Sequence, residues 1–242
     1  MATDKKKTVL FALKKSIPVL FGYLFLGSAF GIMLYDIGYN WIWAIFISLL
    51  VYAGSGQFLL VSLLAADANI PTVITMSLFI NSRHMFYGLS FIEKFKKGGW
   101  RYPFLIFSLT DETYSVNLTF DKTENGINDA QARFYLGIFN HCYWIIGSVI
   151  GSLIGQIIPI DFAGIDFSMT ALFTVIFIEL MLNQKGRGKL VGFIGIICAI
   201  ICLLIFGSEK FILPTMILIV AVLSASKPYF SYNKEVTGNA SN

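Results

Sequence analysis

The sequence predicts an all-α integral membrane protein, a polytopic helical bundle of about seven to eight spans with broken or re-entrant helices. Three observations carry this. Of its 242 residues, 56% are apolar and 13% charged, whereas soluble domains carry about 25% charged residues. The apolar runs are roughly 17–25 residues long, the helix length that spans a hydrocarbon core. They are also continuous, without the ten-residue alternation of a membrane β-barrel.

The candidate spans, read in order, are roughly 17–36, 41–66, 70–92, 102–120, 133–158, 168–184, 190–207 and 211–226. Residues 1–16 read as a basic cytoplasmic N-terminal segment, 17–226 as a single transmembrane helical domain, and 227–242 as a polar C-terminal tail expected to fray. The first run follows Lys5, Lys6, Lys7, Lys14 and Lys15. It is too long for a signal-peptide core and no small-x-small site closes it, so it reads as a retained first span. Pro18, Pro71, Pro103 and Pro214 stand near the starts of runs, where a helix tolerates proline. Trp41, Trp43, Trp100, Tyr102 and Tyr229 lie near run ends, as interfacial aromatics do. Gly27/Gly31, Gly147/Gly151/Gly155 and Gly188/Gly192 recur at the spacing that lets helix backbones approach closely. Cys142, Cys198 and Cys202 sit within apolar runs and read as packing residues.

Two runs are interrupted by charge. Asn81-Ser82-Arg83-His84 lies inside the third run, and Thr110-Asp111-Glu112-Thr113 inside the fourth. An ionised group at the bilayer centre costs about 2.5–3.5 kcal/mol, so Arg83, Asp111 and Glu112 together oppose insertion by roughly 7–10 kcal/mol unless they pair or meet water. Arg83 is about nine residues from the nearer end of its run, roughly 13 Å at 1.5 Å per residue, too deep for snorkelling. Its structural reading is an ion pair with Asp111 or Glu112. Its functional reading is a carboxylate site, since guanidinium grips carboxylates in a bidentate fork. The two carboxylates are candidates for proton coupling, with His84 beside them. Glu179, near the end of its run, reads as interfacial.

The second run holds Ala53-Gly54-Ser55-Gly56-Gln57, where a helix can unwind. Ser55, Gly56 and Gln57 would then offer free backbone groups and polar side chains to a solute. Charge distribution supports such breaks. With the N-terminus inside, eight plain crossings put the Lys94, Lys96, Lys97 and Arg101 cluster outside, against the positive-inside rule. One broken or re-entrant segment on each side of that loop repairs the count, and 53–57 and 110–113 are the best places for them.

Other classes find little support. His84 and His141 are the only histidines, and no cluster has metal-ligand spacing. Ser82 and His84 are too close in sequence to share a helix face as nucleophile and base, so an enzyme is not expected. No Gly-Lys-Ser/Thr phosphate loop occurs, and no cofactor is called for. The basic clusters flank spans, and nothing soluble remains to present them to nucleic acid. An ion or small-solute channel stays open as the alternative to a transporter.

The segments VYAGSGQFLLVSLLAA (51–66), INSRHMFYGLS (80–90) and LTDETYSVN (109–117), in this order and spacing, resemble the AzlC family of branched-chain amino-acid permeases. The resemblance runs from about Lys14 to Ser226. It implies the large subunit of a two-component exporter in the bacterial cell membrane, with an AzlD-type small membrane protein as partner. It further implies export of leucine, isoleucine, valine and sometimes methionine, driven by the proton-motive force. For such a zwitterion with an apolar tail, the residues present offer Arg83, Asn81, Ser55, Gly56, Gln57, Phe58, Met85 and Phe86 for binding. They offer Asp111, Glu112 and His84 for coupling.

Overall fold

The computed structural model describes residues 5–122, 127–157, 187–208 and 211–238, together with 167, 170, 171, 174, 177, 178, 181 and 182. The described residues form helices without strands. They divide into two compact units, 1–173 and 174–242.

The first unit is built on α1 (Lys5–Asp36) and α7 (Asp129–Ile157). Both are long and apolar enough to cross a membrane. They run parallel, because contacts advance together along both: Tyr23 meets Gly147, Ser28 meets Gly151 and Tyr35 meets Gly155. Glycine is required at this seam. A Cβ on Gly31 would lie 2.0 Å from the Ser148 carbonyl oxygen, and one on Gly151 would lie 2.0 Å from that of Ser28. Backbone therefore packs directly on backbone, where the dispersion gain is largest.

Helix α1 starts well before the apolar run. Thr8, Ala12 and Ser16 are buried at four-residue spacing, so one face of the basic segment packs while the lysines point elsewhere.

Between these two helices, the runs expected at 41–66 and 102–120 are each broken. The first becomes α2 (Trp41–Leu50) and α3 (Gly54–Ala65), parted at 51–53. The second becomes α5 (Tyr102–Phe107) and α6 (Asp111–Leu118), parted at 108–110. Each pair turns back at its break. Ser48 on α2 bonds Ser148, and Tyr52 reaches down to His141. Past the break, Gln57 on α3 bonds Trp144 and Phe58 packs on Phe30. Along α5, Phe104 lies against Phe134 and Phe107 against His141. Helix α6 then descends, with Thr113 bonded to Asn140 and Asn117 to Arg133. The two hairpins enter from opposite ends, and their tips meet where Tyr52 packs on Phe107.

Helix α4 (Ile70–Lys96) separates them and runs antiparallel to α7. Asn69 caps it, accepting from the Thr72 N–H, and Pro71 lies in its first turn. Its exposed residues Ile70, Ile74 and Leu78 form a four-residue stripe suited to lipid.

This arrangement resolves the charge conflict. Lys94 lies over Phe91, Arg101 over Phe134, and the Asn128 N–H bonds Thr8 near the start of α1. The Lys94–Arg101 cluster therefore sits at the same end of the unit as Lys5–Lys7.

A second buried arginine was not singled out from the sequence. Arg133 on α7 is 2% exposed. It bonds Asp129 and both the carbonyl and side chain of Asn117, and it lies over Phe91 and Phe120. A cation on the last carbonyls of α6 also matches that helix's dipole.

In the second unit, α8 (Arg187–Phe206) is long and apolar enough to span, and α9 runs Ile212–Gly238. Cys198 and Cys202 are buried free thiols on α8, whereas Cys142 on α7 is exposed. Glu179 lies outside the described residues.

Candidate functional site

The two hairpin tips set the starts of α3 and α6 side by side at mid-height of the first unit. Helix α6 begins with a strong local signal. Thr110 is its N-cap, accepting from the Thr113 N–H at 3.3 Å, and Asp111 and Glu112 occupy the first turn. Carboxylates there complement the positive end of the helix dipole. Helix α3 begins without a side-chain cap, because residue 53 is alanine. Its first N–H groups depend on an acceptor from elsewhere.

Arg83 on α4 ties these two starts together. Its Nη2 pairs with Asp111 Oδ2 at 3.0 Å and donates to Ser55 Oγ in the first turn of α3. Tyr87, one turn further on α4, donates to Asp111 Oδ1 at 2.5 Å. Asp111 thus receives a guanidinium and a phenol from the same helix. Arg83 and Asp111 keep 18% and 16% side-chain exposure.

Glu112 points the other way, as adjacent helical residues must. Tyr23 of α1 donates to its Oε2 at 2.8 Å. The same phenol lies 2.5 Å from Thr110 Oγ1. The network continues through Thr113 to Asn140 of α7, whose Nδ2 donates to Thr113 Oγ1 at 3.0 Å. A small cavity lies between these groups, lined by Tyr23, Tyr52, Gly54, Ser55, Asp111, Glu112 and Trp144. The space open to a water's centre is about 10 Å³, room for a single water.

The structure brings Ser55, Gly56, Asn81, Arg83, Asp111 and Glu112 together. Gly56 allows α3 and α4 to meet closely: a Cβ there would lie 3.2 Å from Asn81 Oδ1. Asn81 Nδ2 donates to the Ser77 carbonyl, which leaves Oδ1 buried and without a partner. His84 Nδ1 donates to the Asn81 carbonyl at 3.2 Å, its ring lies against Tyr87, and its Nε2 is buried without a partner.

Gln57 and Phe58 turn into the core. The Gln57 amide donates to the Val51 and Ile47 carbonyls that end α2, and accepts from Trp144 Nε1 at 2.7 Å. It splints the helix break from inside. Phe58 packs on Phe30. The side chains of Met85 and Phe86 lie outside the described residues.

Tyr23, Tyr52, Tyr87, Asn140 and Trp144 complete the site, and sequence reasoning did not find them. Aromatics in apolar runs look like packing residues until a fold aims their polar ends inward. Among the described residues, no three His, Cys, Asp or Glu side chains gather in a way that could hold a metal.

Comparison with known proteins places this geometry in a family. Residues 18–158, more than half of the chain, match the family model described as AzlC protein. A Bacillus subtilis protein named branched-chain amino acid transport protein AzlC is 35% identical over 209 residues, covering 86% of this chain and 81% of its own length. An uncharacterized membrane protein of Helicobacter pylori is 38% identical over 212 residues, covering 88% and 92%. The inner membrane protein YgaZ of Escherichia coli is 27% identical over 173 residues, covering 66% and 68%. No solved structure matches. This chain, with Arg83 and Asp111 clasped between two broken helices, is a helical membrane protein and belongs to the AzlC family.

Proposed function

We propose that this chain is a secondary transporter subunit that exports the branched-chain amino acids leucine, isoleucine and valine, with methionine as a further substrate. The proton-motive force drives it, and a small AzlD-type membrane protein is its partner. The observation that carries the reading is Arg83 bridging the starts of two broken helices through Ser55 and Asp111. Hairpins entering from opposite ends, with polar groups at their tips, form the inverted arrangement on which many secondary transporters build a midplane site. The name of the Bacillus subtilis relative supports the substrate class.

The chemistry proceeds by exchange of partners. The water-sized cavity is far too small for an amino acid, so this is a closed arrangement. The Asp111 carboxylate holds the guanidinium that a substrate carboxylate would hold, and Arg83 in turn reaches the uncapped start of α3 through Ser55. An entering amino acid takes over the guanidinium and the free N–H groups of α3 as the tips part. Its ammonium is received by Asn81 Oδ1, a buried acceptor without a donor. Released from Arg83, Asp111 joins Glu112 as a pair of carboxylates able to take up a proton, with His84 Nε2 one turn from Asn81 as a further acceptor. The basic clusters at the shared end of α1 and α4 support a reading in which that end, and the N-terminus, lies in the cytoplasm of the bacterial cell.

The test is efflux of labelled leucine from cells carrying the chain with and without an AzlD-type subunit. Wild type is expected to export, and Arg83→Ala to insert normally and export nothing. Equal efflux from wild type, Arg83→Ala and empty cells refutes the reading. Flux of leucine that ignores the proton gradient in every condition assigns a channel instead.

A further inference from the structure

Tyr52 is the central residue of the first hairpin tip, between α2 and α3. Its ring is held by Tyr23, Phe107 and His141, with centroids 6.4, 6.0 and 4.3 Å away. The residue is 6% exposed, lines the cavity, and its Oη is buried without a hydrogen-bond partner. An orphaned buried hydroxyl is uncommon, because desolvating it costs about 1–3 kcal/mol without return. Tyr52 and Glu112 both line the same small polar space, sized for one water. Glu112 has one phenol donor, from Tyr23, and no ion pair among the described residues.

We infer that this cavity is a binding site for a single water that carries the coupling proton to Glu112, with Tyr52 Oη as the group that holds it. The inference rests on the proton-coupled reading above. The proton balance is simple. The bound water accepts a proton from the open side and gives one of its own to the Glu112 carboxylate. No other bond is made and nothing is oxidised or reduced. The reverse step discharges Glu112 once the tips have moved. Tyr52 neither gains nor loses a proton over the cycle. Its hydroxyl fixes the water within reach of the carboxylate, which makes it a positioning residue.

The groups around Glu112 suit this role. Its own helix supplies Asp111, neutralised by Arg83 of α4. Helix α4 also supplies Tyr87 and His84, both beyond Asp111. Helix α1 supplies Tyr23. Helix α7 supplies Asn140 and Trp144, which do not titrate, and His141, which lies against the Tyr52 ring and bonds the Ser48 carbonyl. The start of α3 brings only Ser55. No cation in this set competes with a proton for Glu112.

The experiment uses the full chain, reconstituted with its partner in vesicles. It compares leucine uptake driven by a pH gradient with leucine–leucine exchange at equal pH. Tyr52→Phe keeps the ring and removes Oη. The ratio of driven uptake to exchange is expected to fall about tenfold, the value of one well-placed hydrogen bond. Glu112→Gln is expected to lower the same ratio, and the double variant to be no worse than Glu112→Gln alone. A ratio within twofold of wild type in Tyr52→Phe overturns the inference, as does uptake driven by a sodium gradient at equal pH. Should Tyr52→Phe fail to fold, 3-fluorotyrosine at position 52 keeps the shape with a more acidic phenol. It is expected to shift the pH midpoint of driven uptake, and an unmoved midpoint overturns the inference. If wild type neither exchanges nor accumulates leucine, the transport reading fails instead.

Discussion

Removing Arg83, Asp111 or both separates what the ion pair does for stability from what it does for transport. Arg83 pairs with Asp111 at 3.0 Å and donates to Ser55. Taking one partner from a buried pair costs about 3–5 kcal/mol, because the other charge is left behind. Here the side chains keep 18% and 16% exposure, so solvent screening lowers the cost to about 2–3 kcal/mol. Asp111 would still hold its bond from Tyr87. Arg83→Ala and Asp111→Ala should therefore each lower Tm by about 4–12 °C, at 2–4 °C per kcal/mol for a chain of this size. The double variant removes both charges of this pair and should recover most of that loss, with a coupling energy of about 2 kcal/mol. Thermal unfolding of the purified protein, followed by the fluorescence of its four tryptophans, measures the cycle. Leucine efflux is measured on the same variants. Stability should return in the double variant while efflux does not. Additive losses in the cycle would show that the two charges do not act as a unit, and wild-type efflux from the double variant would end the proposed role of Arg83.

Gly31→Ala should destabilise by about 1–3 kcal/mol, because its Cβ would fall 2.0 Å from a backbone oxygen that cannot step aside. Gly22→Ala on the same helix meets nothing within 4 Å, and should be neutral or stabilising by up to about 1 kcal/mol from helix propensity. Equal Tm values for the two variants would contradict the backbone-to-backbone seam. Gln57→Leu preserves bulk but strands Trp144 Nε1 and takes one of two donors from each of the Ile47 and Val51 carbonyls. A loss of about 2–3 kcal/mol is expected in the same unfolding assay, and an unchanged Tm would remove the splint from the account of the break.

Much of this site was legible in the chain itself. The cost of Arg83 and Asp111 in lipid requires a partner for each, and a single pairing satisfies both. Breaks in these two runs were expected at 53–57 and 110–113, from glycine and serine in one, a polar knot in the other, and basic loops that plain crossings would put on the wrong side. The helices part instead at 51–53 and 108–110, and 54–57 and 111–113 form first helical turns. Gln57 and Phe58 were legible as unusual positions but not in their direction. A side chain next to a helix break can face the solute or the core, and residue identity does not choose. Tyr23, Tyr52 and Trp144 were invisible for a related reason. Their rings satisfy the hydrophobic pattern, so their polar atoms leave no mark on it. Arg133 escaped notice because it stands at the edge of an apolar run, where arginine ordinarily snorkels.

Composition and run length, by themselves, determined that this is a helical protein of the membrane, because lipid offers no partner for an unpaired backbone. Only the tertiary structure decided which groups share the space at the hairpin tips. The contacts there join residues from α1, α3, α4, α6, α7 and both breaks, far apart along the chain. Their meeting depends on α1 and α7 closing backbone to backbone at their glycines, a distance set by packing rather than by any local preference of the chain.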